Sequence, residues 1–277
     1  MRSGTKNDHR HLVCKETFTL PREALFSGIW RKGKNMSIYH IFIIIIIVLA
    51  AAVLAGMRQI GNISVKQAVL FMGYGFIGAI IWAIVYMIIF ALPFVVRLEH
   101  DFPLLFIVLD VFIVEAFLIE LFKDKGVHYG VEKGKIPIKT VFDAIVFGAL
   151  VGIGFGVVEH IINMVIDPNP GFIYFLQEVG LVLSNIAFGA MMGFFIGMSH
   201  YYQVSGDDAK SKQMLVAGLI IPSALHGIPT FLEELVEHHM IPEGFEWLAV
   251  IIEVGVVIAG IVLFFKWKRS TVIIHED

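Results

Sequence analysis

The sequence predicts an all-α protein, a polytopic bundle of about seven transmembrane helices, and three observations predict it. The 277-residue chain is 57% hydrophobic with a mean hydropathy of +0.81, well above the apolar share of ordinary soluble domains. Several apolar runs reach the roughly 20 residues that a helix needs to cross a bilayer core. The connections between them are short, so residues 36–277 read as one membrane domain.

The spans read in order as 37–56, 67–96, 103–122, 141–166, 172–201, 214–232 and 245–265. The second and fifth are longer than a bilayer requires, which predicts tilt or an extension along the interface. Orientation follows from Lys and Arg, which concentrate in cytoplasmic loops. Alternate connections hold Arg58 and Lys66, then Lys123, Lys125, Lys133, Lys135 and Lys139, then Lys210 and Lys212. The tail adds Lys266, Lys268 and Arg269, whereas the opposite side offers Arg97. This bias predicts a multi-pass cell-membrane protein with Met36 outside and the C-terminus in the cytoplasm. Residues 1–35 run against it. They are rich in Lys and Arg, carry Cys14, and lack the apolar core of a cleaved signal peptide. Met36 opens the run Met-Ser-Ile-Tyr-His-Ile-Phe, so 1–35 reads as an over-extended start. A genuine basic arm is the alternative, and it requires an even number of spans or an inverted topology.

Composition also excludes several chemistries. With no cysteine after Cys14, the membrane domain has no disulfide, cysteine nucleophile or thiolate zinc site. No basic patch interleaves with aromatics, so nucleic acid is not a predicted partner. Walker and dinucleotide glycine patterns are missing, and so is His-Glu-x-x-His.

What remains is a set of polar residues inside the spans, each costing on the order of 2.5–3.5 kcal/mol at the centre of a bilayer when charged. In the fourth span Gly148, Gly152, Phe155 and Glu159 fall on one helical face. Glycines at that period let another helix approach closely, which turns Glu159 towards the bundle interior. In the fifth span Asn185, Gly189, Gly193 and Gly197 recur every fourth residue, and Asn185 is a candidate hydrogen-bond partner for Glu159. In the sixth, His226 lies between Pro222 and Pro229, the mark of a disturbed or broken helix. The third span holds two candidates, Glu115 and Glu120, about 140° apart at ~100° per residue, so one site draws on one of them. Glu120 and Lys123 are also i, i+3 neighbours able to pair. Counted down from the outer face, Glu159, Asn185 and His226 converge, but Glu120 falls roughly 15 Å too deep at 1.5 Å per residue. Glu115 is therefore its geometric rival. The run Glu233 to His239 reads as a solvated turn, and Glu253 as a lone carboxylate of the seventh span.

Taken in order, these pieces resemble the PrsW family of intramembrane proteases, distant relatives of the CAAX-type prenyl-protein endopeptidases. The resemblance runs over about 112–232. It is carried by Glu120 and Lys123, by Asp143, Gly148, Gly154, Phe155 and Glu159, and by His226-Gly227. The chain departs from the family pattern at three positions. Ile119 replaces the first glutamate of a pair, Asn185 the first histidine, and Thr230 the acidic or amide residue after the second histidine. The resemblance implies an endopeptidase hydrolysing peptide bonds of membrane-anchored proteins or peptides. It implies Glu120, Glu159 and His226 as catalytic residues, with Asn185 at a histidine's place. It also implies a divalent metal such as zinc on Glu159, His226 and Glu120, three protein ligands being what a catalytic zinc requires. Without a metal, the same groups would run acid–base chemistry. Two other readings fit the residues: a protease-like fold that binds membrane partners without catalysis, and a proton-linked carrier. A carrier of this kind is expected to show a pseudo-repeat between halves, and the sequence shows none.

Overall fold

The computed structural model describes residues 51, 55–56, 63–134, 136–166 and 172–268. The readings of 1–35 and of the first span at 37–56 fall almost wholly outside these residues. Among the described residues the architecture is helical, with no β-strand element. The helices are α1 (Val65–Phe90), α2 (Pro93–Asp101), α3 (Pro103–Leu109), a π-helical segment (Asp110–Phe117), α4 (Leu118–Gly134), α5 (Val141–Ile166), α6 (Phe172–Val204), α7 (Asp208–Glu237) and α8 (Glu246–Lys268). Five of them, α1 and α5 to α8, are long and apolar enough to cross a membrane. The third predicted span is a run of three helical pieces, α3, the π segment and α4, which follow one another without a gap.

Local chemistry sets the ends. Ser64 and Gln67 form a reciprocal capping box at the start of α1. Thr140 and Asp143 form another at α5: Asp143 Oδ2 accepts from the Thr140 N–H at 2.9 Å, and Thr140 Oγ1 accepts from the Asp143 N–H at 3.1 Å. Such a box satisfies two N–H groups that the first turn of a helix leaves unpaired. Asp143 therefore starts the helix that carries Glu159. The second predicted span ends early, at Phe90, because Pro93 begins the separate short helix α2.

The centre of the bundle is α5, whose residues 144–156 are all buried. Glycines key it to both neighbours. A Cβ on Gly148 would meet the Gly189 carbonyl oxygen of α6, and one on Gly152 the Asn185 carbonyl oxygen. On the other side, Gly154 lies against the Met72 carbonyl of α1, and Gly75 of α1 against the Val151 carbonyl. These approaches are too close for any side chain, so backbone packs on backbone, as the glycine stripes predict. The periphery is apolar and outward-facing, with Ile77, Ile81 and Ile84 on α1 and Ile251, Val254 and Ile258 on α8 exposed. Those faces suit lipid chains. On α8, Ala249, Val256 and Gly260 turn inward instead.

α7 corrects one expectation. Pro222 and Pro229 lie inside a helix that runs unbroken from Asp208 to Glu237. A proline gives no N–H to the carbonyl one turn earlier. Hydroxyls bond back to the backbone beside each proline: Ser223 Oγ donates to Leu219 O at 2.7 Å, and Thr230 Oγ1 to His226 O at 3.2 Å. The helix also continues through Glu233 to Glu237, part of the run that the sequence reads as a solvated turn.

Candidate active site

Glu120 and Lys123 face inward from α4, and the side chains of both are completely buried. Lys123 Nζ donates to Glu120 Oε1 at 2.7 Å. His226, from the stretch of α7 between the two prolines, reaches the same oxygen through Nδ1 at 3.1 Å. A carboxylate only accepts, so the Nδ1 proton points at Glu120 and the Nε2 lone pair is left facing away from it. The imidazole stacks on Phe188 of α6, with ring centroids 5.0 Å apart and planes at 11°. The Lys123 ammonium lies 5.2 Å from the Phe155 ring centroid and 5.6 Å from that of Phe188. Cations in such positions are drawn to the negative faces of the rings. A carboxylate and two aromatic rings from three different helices thus hold the charge in a buried place. His226 retains 12% of its side-chain surface, which leaves the imidazole approachable.

The second part of the site joins α5 to α6. Asn185 Nδ2 donates to Glu159 Oε2 at 2.8 Å and to the Leu181 carbonyl at 2.9 Å. Both amide hydrogens are committed, so in this arrangement Asn185 has no donor left for an oxyanion. Glu159 and Asn185 are 6% and 1% exposed. This is the buried inter-helix bond that the two glycine stripes bring about. Replacing Asn185 with alanine removes the Glu159 donor, a hydrogen bond to a charged group contributing about 1.5–3 kcal/mol. The thermal midpoint of the detergent-solubilised Asn185→Ala protein is accordingly expected to fall by several degrees, measured by tryptophan or intrinsic scattering transitions.

Between Glu115 and Glu120, the structure brings Glu120 to His226. The depth count failed in part because α7 runs on to Glu237 rather than ending at 232, which sets His226 deeper, and in smaller part because of the π segment. That segment winds the chain with i→i+5 bonds, so neither the 100° rotation nor the 1.5 Å rise of an α-helix applies to residues 110–117. Trp82 of α1 anchors the segment by donating Nε1–H to the Val114 carbonyl at 3.1 Å. Gly227, next to His226, gives room for Phe112 and Ala116, which come within 2.6 and 3.3 Å of where a Cβ would stand.

The departures from the family pattern have visible surroundings. Ile119 is 1% exposed and packs with Ala79, Trp82, Phe155 and Val158 in an apolar cluster. Thr230 bonds to the backbone of α7, as described above. Glu253, which the sequence left without neighbours, comes from α8 into electrostatic range of His226. Sequence spacing gave a signal that α8 turns this residue inward, since Ala249, Glu253, Val256 and Gly260 share a face. Nothing in the sequence indicated which helix it would meet.

As arranged, the donors do not make a metal site. Glu120 Oε1 is taken by Lys123 and His226, and Glu159 Oε2 by Asn185. Among the described residues, no three His, Cys, Asp or Glu side chains converge as a metal-binding group. Of the three residues expected to share an ion, Glu120 and His226 touch, and Glu159 bonds to Asn185. A cavity of about 750 Å³ opens nearer the α6–α7 turn, lined by His128, Glu132, Ser199, His200 and Lys212 among others. None of the residues above lines it.

These features define a multi-pass membrane protein with a polar, carboxylate- and histidine-bearing site enclosed by its helices. A family model described as PrsW family intramembrane metalloprotease matches residues 64–263. The chain belongs to that family. Among curated proteins, it is 28% identical over 130 residues to a protein named Protease PrsW from Oceanobacillus iheyensis, covering 47% of this chain and 53% of that one. It is 33% identical over 92 residues to Protease PrsW of Bacillus subtilis, covering 33% and 39%. The chain thus spans about half or less of the length of these relatives. No solved structure matches it.

Proposed function

We propose that the chain is an intramembrane endopeptidase that hydrolyses peptide bonds of membrane-anchored proteins or peptides, with His226 as general base and Glu120 orienting it. The observation that carries this reading is the 3.1 Å contact between His226 Nδ1 and Glu120 Oε1 across two helices. Peptide hydrolysis needs a base within reach of water and a group that keeps the base in the right tautomer. In the proposed step, a water proton moves to His226 Nε2 while the oxygen bonds to the peptide carbon. The C–N bond then breaks, and the proton passes from Nε2 to the leaving nitrogen. Family membership and the burial of these groups support the reading.

A zinc-dependent variant would place the ion on Glu159, His226 and Glu120. It would require Glu159 and Glu120, which Asn185 and Lys123 now hold through one oxygen each, to turn towards a common ion with His226. A second reading, a family member that binds membrane partners without cutting them, is favoured by the apolar setting of Ile119 and by the committed amide of Asn185. Cleavage of single-pass peptides by the full chain in proteoliposomes separates the two. Products that vanish with His226→Ala support the endopeptidase, and no product from a broad anchored-peptide library overturns it.

On the positive-inside rule, the α6–α7 turn with Lys210 and Lys212 belongs to the cytoplasm, as does the C-terminus. A Ser205→Cys chain that also carries Cys14→Ser is expected to react with a membrane-impermeant maleimide only after the cells are opened. Labelling of intact cells would reverse the orientation.

A further inference from the structure

We infer that the resident cation of this site is the Lys123 ammonium and that the chain holds no divalent metal there, in contrast to the description of its family. The catalytic half of this inference rests on the endopeptidase reading; the metal half does not.

Four observations carry it. Lys123 is wholly buried, and its counter-charge Glu120 is wholly buried 2.7 Å away, so the pair forms an ion pair sealed from water. The ammonium is bounded on two further sides by the rings of Phe155 and Phe188, a cage that fits a monovalent organic cation and supplies no metal ligands. The oxygen of Glu120 that faces His226 is the one that Lys123 occupies. A divalent ion between these two residues would therefore sit directly against a fixed positive charge. Finally, the donors a metal would recruit are withdrawn. Glu159 is bonded to Asn185, and position 119 is an isoleucine in an apolar cluster. Glu120 Oε2, buried without a hydrogen bond among the described residues, and His226 Nε2 remain. Glu159 and Glu253 are not brought together with these two: among the described residues no three His, Cys, Asp or Glu side chains are placed to hold one ion, and three is what a catalytic zinc needs.

Lys123 then acts through Glu120 as a positioning residue. Its charge balances the carboxylate in a place where an unpaired one would be strongly unfavourable, and it fixes the oxygen that receives the Nδ1 proton of His226. The role differs from that of a Lewis acid, because the ammonium does not touch the substrate.

The test uses the full chain with a Strep tag, free of polyhistidine, in lipid nanodiscs. Zinc, manganese, iron and cobalt are counted by inductively coupled plasma mass spectrometry, and added zinc is titrated by calorimetry. The expected result is substoichiometric metal and no zinc binding that is lost on Glu120→Gln. Cleavage of an anchored fluorogenic peptide is expected to survive dialysis against EDTA and 1,10-phenanthroline. Lys123→Met is expected to lower kcat by about 100-fold or more with little change in KM, and Lys123→Arg to restore part of it. Stoichiometric metal that disappears on Glu120→Gln or His226→Ala would overturn the inference, as would chelator-sensitive cleavage restored by zinc. Equal activity of Lys123→Met and wild type would overturn the positioning role. If the wild-type chain cuts no peptide, the endopeptidase reading fails, while the metal count still decides the metal half.

Discussion

Alanine at position 226 is expected to lower the rate of peptide cleavage by about 10²–10⁴-fold, the range that a general base supplies. The same loss is expected for Glu120→Gln, for a different reason. His226 has one ring nitrogen turned to Glu120 at 3.1 Å, and a glutamine there is able to present either a donor or an acceptor. The Lys123 ammonium, a donor only, keeps the amide oxygen turned to itself and to His226 Nδ1, so the tautomer holds, but the negative charge that favours the imidazolium formed in the step is lost. Glu120→Gln should therefore leave KM for an anchored peptide nearly unchanged while kcat collapses. The two changes should not add, because both remove one functional unit. A double variant slowed by the product of the two single losses would show that the residues act separately. Glutamine also leaves the Lys123 ammonium buried without its counter-charge. Helicity and thermal midpoint have to be measured beside the kinetics, to separate lost chemistry from a lost fold.

Leucine at Gly148 is expected to break the packing of the bundle. The new Cβ would collide with the Gly189 carbonyl of α6, a backbone atom that no rotamer change can move aside. Ordinary overpacking costs about 1–3 kcal/mol, and a wedge between two backbones exceeds what side-chain repacking relieves. The expected outcome is a failure to recover monodisperse protein from mild detergent. Gly73 gives the contrast: a Cβ there meets nothing within 4 Å. Gly73→Leu should extract and melt like wild type. If Gly148→Leu also does so, α5 and α6 are not keyed as the structure describes.

The parts of this molecule that were legible in the sequence are those written in helical periodicity. Glycine faces on the fourth and fifth spans predicted that each is closely approached by another helix and that Glu159 turns inward, with Asn185 as a candidate partner; the structure shows that the two faces meet each other. The family resemblance singled out Glu120 and His226, which the structure brings into contact. What periodicity could not convey was any departure from an α-helix. The depth count took the sixth span to end at 232, where α7 runs to Glu237, and assumed one rise per residue throughout the third span, so it put Glu120 out of reach. The π segment at Asp110–Phe117 is held by the indole of Trp82, a contact between residues 32 positions apart, and no local pattern encodes it. In the same way, prolines on either side of His226 read as a break, whereas the helix runs through both. Glu253 could be assigned a face but not a neighbour, since facing helices are a property of the assembled bundle.

The bond between Glu159 and Asn185 also bears on how the chain is made. Its two members lie 26 residues apart. At translation rates of about 5–20 residues per second, the ribosome needs roughly one to five seconds to pass from one codon to the other. The same delay separates the emergence of the two residues from the ribosome, and throughout it α5, apolar enough to cross a membrane, carries a carboxylate whose amide partner has not reached the bilayer. The glycine face that will receive α6 is uncovered as well. The growing chain must therefore keep α5 in a sheltered place, at the translocon or against α1, until α6 emerges. Slowing synthesis between residues 160 and 185 would lengthen the exposure without altering one atom of the finished protein.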